Sequence, residues 1–144
     1  MKLFYLFVCI ELLGSCTFNK IFVCRKGNKF EEVSKYLILN KNTGESLSAD
    51  DATLDPKIRR KLKNLRVDGL RVGNKGLNDW EPHDSVVQFW NNGSLFLIRS
   101  KSVLYDYSKS PKVYSDTIVK GYRTKWLVRI NNRLYLTKVS MGDL

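Results

Sequence analysis

The second half of the sequence consists of short apolar stretches separated by turn residues, and this pattern limits the possible folds more than any other feature. Stretches of about four to eight residues, rich in β-branched and aromatic side chains and bounded by Asn, Gly, Ser or Pro, are typical of strands. The stretches are residues 86–90, 94–99, 102–107, 113–119, 125–130 and 133–139. About six such strands suffice for an antiparallel meander that curls into a small barrel or a strongly twisted sheet.

Three short segments from residue 73 onward are predicted to be hairpin turns. Residues 91–93, Asn-Asn-Gly, join the first two strands, and residues 131–132, Asn-Asn, join the last two. Asn and Gly suit tight hairpin turns because they tolerate a positive φ. Residues 73–76, Gly-Asn-Lys-Gly, are the third turn, since their spacing matches neither the P-loop nor the dinucleotide-binding pattern.

One short helix is predicted ahead of these strands. Asp55 is a favourable N-cap, Pro56 fits the first helical position, and residues 57–66 continue with helix formers. Three aliphatic side chains share one face at positions i, i+4 and i+7, namely Ile58, Leu62 and Leu65. Residues 68–69, Asp-Gly, are expected to end the helix. The sequence therefore predicts a mainly β domain of the α+β class with one short helix.

The segment before this helix is predicted to be extended or looped. Residues 21–24 are expected to form a first strand, and residues 36–39 another after a stretch that starts helical. Residues 40–44 are expected to form a hairpin loop and residues 45–54 a polar surface loop.

The first sixteen residues, MKLFYLFVCIELLGSC, have the layout of an export signal. Lys2 supplies the positive tip, residues 3–13 are apolar except for Glu11, and small residues precede Cys16. The final four residues of this segment resemble the lipobox of bacterial lipoprotein precursors, and the resemblance extends no further along the chain. It implies cleavage between Ser15 and Cys16, lipidation of the Cys16 thiol, and attachment of the mature chain to a membrane by its new N-terminus.

Three other interpretations of this segment stay open at this level: an ordinary cleaved secretory peptide, an uncleaved anchor, or a buried element of a cytosolic fold. The apolar run is short against the ~20 residues that span a bilayer, and Glu11 is a costly charge within it. The lipoprotein interpretation divides the chain into a signal peptide (1–15), a short tether (16–28) and a single basic β-rich domain (29–144). It places the protein on a membrane of the cell envelope, on the periplasmic side or at the cell surface.

The chain carries a formal net charge of +11 at pH 7. Removal of residues 1–15 takes away one Lys and one Glu, so the mature chain keeps this charge. An excess of basic residues favours anionic partners. For an exported protein these are an anionic envelope polymer, a lipid surface or an acidic protein. Nucleic acid is expected only under the alternative of a cytosolic or viral protein whose N-terminal run belongs to the core.

The candidate binding residues combine basic and aromatic side chains. Aromatic rings beside Lys and Arg can stack sugars or bases, but they equally build the core of a small β domain. Alternation along the strands assigns Phe89, Phe96 and Trp126 to the core. The candidates for a binding surface are Arg59, Arg60, Lys63 and Arg66 on the helix, with Trp90, Tyr107 and Tyr122 near turns or on the other face of the sheet.

The sequence has no recognisable catalytic pattern, and neither a metal nor a cofactor is expected. The single histidine, His83, lies beside Glu81 and Asp84, which are too few ligands for a recognisable zinc site. No nucleophile-elbow pattern accompanies it. We therefore predict a binding protein rather than an enzyme, with an envelope hydrolase that uses this loop as an alternative.

The chemical state expected for the three cysteines depends on whether the N-terminal segment is cleaved and lipidated. If Cys9 leaves with the signal peptide and Cys16 carries lipid, Cys24 is the only free thiol. Such a thiol is more often a small buried apolar group than a nucleophile. If Cys16 is not lipidated, Cys16 and Cys24 are able to pair across a short loop.

Overall fold

The structure, a computed structural model, describes residues 18–73, 85–91, 99–110, 117–120 and 123–141. The elements within these residues follow the order α1 (Lys20–Asn40), β1 (Ser46–Ser48), α2 (Pro56–Asn64), β2 (Gly69–Val72), β3 (Val86–Trp90), β4 (Arg99–Asp106), β5 (Thr117–Lys120), β6 (Arg123–Arg129) and β7 (Leu134–Met141). Neither of these two helices is long and apolar enough to cross a membrane. The predicted signal peptide and Cys16 lie outside the described residues.

The seven strands form one antiparallel sheet in the order β1-β2-β3-β4-β7-β6-β5. Strands β1 to β4 form one meander, and β5 to β7 form a second whose last strand pairs with β4. The edge strands β1 and β5 each pair with a single described strand, so the sheet is open. The predicted mainly β, α+β fold is confirmed: of the two predicted forms, a small barrel or a twisted sheet, the sheet has the open form, and the described residues contain two helices where one was predicted.

The hydrophobic core lies between one face of the sheet and the two helices. Successive strand residues point to opposite faces, so every second side chain enters this core. At its centre the Phe30 ring of α1 lies 5.3 Å from the Phe89 ring of β3, and the Phe18 ring lies 5.9 Å from Phe30. All three are fully buried, which confirms the assignment of Phe89 to the core. The side chains of Phe96 and Trp126 lie outside the described part of the structure.

The other face of the sheet carries hydrogen-bonded polar side chains on its central strands. Ser102 in β4 and Thr137 in β7 pair in register, and their hydroxyl oxygens lie 2.5 Å apart. Gln88 in β3 donates from Nε2 to Ser102 Oγ at 3.2 Å. Ser102 and Thr137 are buried, so these bonds satisfy groups that would be costly to leave without partners.

Helix α1 corrects the sequence-based interpretation of residues 20–40. It replaces the predicted strands at residues 21–24 and 36–39. Asn19 is its N-cap, and Asn19 Oδ1 accepts a hydrogen bond from the Phe22 backbone N–H at 2.8 Å. Short apolar runs are compatible with a helix or a strand. Packing on the sheet selects the helix here, because the buried positions recur at helical spacing. These buried positions are Val23, Phe30, Val33, Ser34 and Leu37.

The folded domain begins before residue 29. The Phe18 ring is fully buried, and it packs between Phe22 at 6.5 Å and Phe30 at 5.9 Å. The predicted tether of residues 16–28 is therefore wrong from Phe18 onward, since those residues belong to the core and to α1.

The structure also differs from the prediction at two loops ahead of α2. Residues 40–44 connect α1 to β1 instead of joining two strands, and Gly44 has a φ of 91° at this turn. β1 lies within the predicted surface loop of residues 45–54 and pairs with β2 at the edge of the sheet.

Helix α2 confirms the predicted short helix, but its end differs from the prediction. Asp55 Oδ1 accepts a hydrogen bond from the Lys57 backbone N–H at 2.7 Å, as expected of an N-cap. At the other end the Val67 N–H donates to the Leu62 carbonyl and the Arg66 N–H to the Lys63 carbonyl, each at 3.0 Å. This is the Schellman pattern of helix termination, which closes the helix before residues 68–69.

Gly69 belongs to β2, where its lack of a side chain admits the Trp90 ring. A Cβ atom at Gly69 would lie 2.4 Å from atoms of the Trp90 indole. The two residues pair directly across β2 and β3. Gly69 therefore allows β2 to pack against Trp90 of β3, and it does not end the helix as predicted.

The predicted hairpin of the last two strands is confirmed, whereas that of residues 86–99 is wrong. β6 pairs with β7, and Asn131 Oδ1 accepts two backbone hydrogen bonds of 2.8 Å at the turn. β3 pairs with residues 102–106 instead of residues 94–99. This register places Phe89 opposite Val103 on the core face, so burial outweighs the local turn preference.

We expect Phe30→Ala to lower the free energy of unfolding by about 3–5 kcal/mol, because it removes a fully buried ring and leaves a cavity between α1 and the sheet. Leu39→Ala on the same helix is the matched control. Its side chain is 84% exposed, so a change within about 0.5 kcal/mol is expected. Urea titration followed by circular dichroism measures both; equal losses would contradict the packing described here.

Candidate binding surface

Helix α2 presents a row of basic side chains to solvent. Its apolar stripe is buried in the core, so its other side faces outward. Within the described part of the chain, the ion pair of this helix joins Lys61 to Glu32 of α1. The exposed basic residues, which we call the basic face, are Lys57, Arg60, Lys63 and Arg66.

Arg59 and Arg66, both predicted binding residues, have different surroundings. Arg59 is half-buried, and its Nε atom is buried with no hydrogen-bond partner. The Arg66 guanidinium carbon lies 5.1 Å from the centre of the Phe22 ring, which is a cation–π contact between the end of α2 and the start of α1. Arg66 is therefore exposed but held in place, whereas Arg59 lies at the flank of the helix.

The backbone of Arg66 is strained. Its φ of 57° is the one positive value at a non-glycine residue in the described part of the chain. This left-handed conformation costs a non-glycine residue roughly 1–2 kcal/mol, and glycine is the usual residue at this position of a Schellman turn. The Arg66 carbonyl accepts a hydrogen bond from Asn91 Nδ2 at 2.6 Å, which ties the turn to the end of β3.

Trp90 lies at the same end of the sheet as Arg66. Its carbonyl accepts a hydrogen bond from the Asp68 N–H at 3.0 Å, and its half-buried ring covers Gly69. The next residue, Asn91, donates from Nδ2 to the Arg66 carbonyl. The structure thus brings Trp90 and Arg66 to the same end of the sheet, but the Trp90 ring lies on the face opposite the helices because its neighbour Phe89 points into the core.

Tyr107 and Tyr122 are not part of this cluster. Trp90 pairs with Ser102 in β4, and Tyr107 follows five residues later, about 17 Å further along the strand direction. Tyr107 is half-buried and lies at the opposite end of the sheet. Tyr122 lies outside the described residues.

Tyr107 instead lines an open groove between α1 and the ends of β4 and β7. The groove has a volume of about 510 Å³. Arg133 Nη1 donates to the carbonyls of Asp106 at 3.1 Å and Ser108 at 2.8 Å, which fixes one edge of its guanidinium group. The groove is lined by Glu31, Lys35, Ile38, Leu39, Tyr105, Tyr107 and Arg133.

The charged groups of this groove were not identified from the sequence. Lys35 and Glu31 form an ion pair of 2.8 Å one helical turn apart, and this hydrogen-bonded pairing raises the pKa of Lys35. Burial, with a smaller effect of the Glu31 charge, raises the pKa of Tyr105. The Glu31–Lys35 spacing of i, i+4 is a helical pattern and could have indicated α1. Arg133 follows a predicted turn, and no local pattern marks it.

Other candidate chemistry lies largely outside the described residues. This applies to Glu81, His83 and Asp84, the loop considered for a hydrolase. Among the described residues, no group of three His, Cys, Asp or Glu side chains is placed to hold a metal ion. Cys24 is an exposed free thiol on α1, in contrast to the buried position expected of a lone cysteine.

Comparison with known proteins assigns no family: no family model, no curated protein and no solved structure matches the chain.

We expect Arg66→Gly to be more stable than Arg66→Ala by about 1 kcal/mol. Both variants lose the contact with Phe22, but only glycine relieves the left-handed backbone. Chemical denaturation of the two purified variants measures the difference. Equal stabilities would show that the backbone at this position carries no strain.

We expect the stability of the domain to fall at alkaline pH. The raised pKa of Tyr105 means that the folded state favours the neutral phenol. This stabilisation is complete below the unfolded-state pKa of about 10 and is lost as the pH rises through the higher folded-state pKa. Tyr105→Phe should weaken this dependence in urea titrations at successive pH values, and an unchanged dependence would exclude Tyr105 as a source.

Proposed function

We propose that this protein is a membrane-anchored lipoprotein of the cell envelope whose domain is a non-catalytic binding module for an anionic partner. The anchor is a lipid on Cys16 after removal of residues 1–15. The partner is an envelope polymer, a lipid surface or an acidic protein, and no cofactor takes part. Nucleic acid is not a partner of the exported protein.

The observation that carries this proposal is the arrangement of α2. Its apolar stripe is buried, so the helix has no free apolar side to insert into a membrane or a partner. Its exposed side carries the basic face, and among the residues that the structure describes no ion pair involves this face. Such a surface supports electrostatic binding, worth around 1 kcal/mol for each Lys or Arg at an anionic lipid surface.

The proposed binding residues form two groups. Arg59, Arg60, Lys63, Arg66 and Trp90 lie at or near the end of the domain where α2 meets β3. Tyr107 belongs to the groove at the other end, and Tyr122 remains a candidate on sequence grounds alone. The first group is the proposed site for the anionic partner because it contains the exposed charges of the basic face; the Trp90 ring lies at the same end of the sheet but on the face opposite the helices.

The anchor is tested by the intact mass of the protein in the membrane fraction of expressing bacteria, for the wild type and Cys16→Ala. We expect a wild-type species that starts at Cys16 and carries added acyl mass, and its absence in the variant. A full-length, unacylated, soluble wild-type protein would contradict the lipoprotein proposal. Binding to oligonucleotides with a steep salt dependence would then indicate the nucleic-acid alternative.

The basic face is tested with heparin as a model polyanion. We expect Lys63→Glu to weaken binding about tenfold, because the change removes one positive charge and adds a negative one at the centre of the face. Lys109→Glu is the matched control, since Lys109 is an exposed lysine beyond the far end of β4. The affinities are measured by titration calorimetry. Equal affinities of the two variants would show that heparin binding depends on the net charge of the protein and not on the basic face.

A further inference from the structure

We infer that one particular surface of the domain docks on the anionic lipid of the membrane that holds the anchor. This surface, the anchor-proximal face, consists of Lys20, Ile21 and Arg25 on α1, Lys63 on α2 and Arg66 in the turn that follows α2. The inference rests on the proposed lipid anchor at Cys16. It specifies the partner, the residues that meet it and the orientation of the domain.

The short distance between the anchor and the core limits how the domain can be oriented. Phe18 is fully buried, so its position is fixed by the packing of Phe22 and Phe30 around it. Only two residue steps separate Phe18 from Cys16, a span of about 7 Å even when fully extended. The start of α1 is therefore held against the lipid surface, and the domain has no length of tether with which to turn away.

The start of α1 is suited to an anionic lipid surface. Lys20 and Arg25 are exposed, and the sequence between residues 17 and 30 contains no acidic residue. Ile21 lies among these charges with 67% of its surface exposed, although the other large apolar residues near the start of the helix are packed inward. An apolar side chain surrounded by basic residues is typical of a segment that rests at the membrane interface.

The end of α2 extends this surface. The contact between Arg66 and Phe22 at 5.1 Å places the turn that follows α2 beside the first turn of α1. Lys63 and Arg66 are exposed there. The nearby acidic groups lie at the margin: Asp68 is exposed beyond Arg66, and Glu32 is paired with Lys61. The five residues of the anchor-proximal face thus contribute four positive charges and no negative one.

The anchor makes this small surface sufficient to hold the domain on the membrane. One exposed isoleucine and four basic residues bind a membrane weakly on their own, whereas the lipid anchor holds the chain at the membrane. Joined by about 7 Å of chain, the two act together, because the anchor raises the effective concentration of the lipid surface at the face. The groove lined by Arg133 and Tyr107 then lies at the other end of the domain, open to a second partner.

The native Cys24 thiol reports on this orientation, because it is exposed on α1 one turn beyond Lys20. Acylated protein, its mass verified, is reconstituted into vesicles of phosphatidylcholine with phosphatidylglycerol, and Cys24 is labelled with bimane. Lipids that carry a doxyl group quench bimane on close approach. Lys109→Cys in a Cys24→Ser background places the same label at the opposite end of the domain as the matched control.

We expect quenching at Cys24, little at position 109, and weaker quenching in vesicles of phosphatidylcholine alone. Lys63→Glu should lower the docked fraction about fivefold, whereas Lys109→Glu leaves it unchanged. Equal quenching at the two sites, or none at Cys24 in acylated protein, would overturn the docking surface while the anchor stands. A protein without acyl mass would overturn the anchor itself, and the docking inference with it.

Discussion

The packing of α1 against the sheet is the interaction on which the rest of the structure depends. The rings of Phe18, Phe30 and Phe89 form a continuous contact from the first described residue to the central part of the sheet. Burial of a large aromatic side chain contributes several kcal/mol, so this contact is a substantial share of the stability of a domain of this size. It also holds the N-terminal end of the chain in a fixed position, because Phe18 is part of it.

The surface chemistry follows from this packing. Both helices place their apolar residues on the same core, so their outward sides are available for charged residues. On α2 these are almost entirely basic, whereas α1 carries only basic charges before residue 30 and both signs after it, including the Glu31–Lys35 pair. The two ends of the sheet consequently differ: Arg66 and Trp90 lie at one end, and the groove with Arg133 lies at the other. A protein held at its N-terminus would present these ends to different surroundings.

Part of the candidate site was accessible from the sequence. The basic side of α2 was predicted because capping by Asp55, Pro56 at the first position and the aliphatic stripe are all local features. The contacts of Arg66 with Phe22 and Asn91 were not, since they depend on how α2 packs against α1 and β3. The groove was missed for the same reason: its residues come from α1, from the end of β4 and the residue that follows it, and from the turn before β7, and no local pattern joins them.

The sequence by itself determined the mainly β class, the strands β3, β4, β6 and β7, the hairpin at Asn131 and the helix α2. These features rest on alternation, turn chemistry and capping, which act within about ten residues. Only the tertiary structure decided that residues 20–40 form a helix, that β3 pairs with residues 102–106, and that β4 pairs with β7. Short apolar runs suit a helix or a strand equally well, and a strand can accept several registers. Burial against distant residues such as Phe89 selects among these alternatives, and a local pattern contains no information about it.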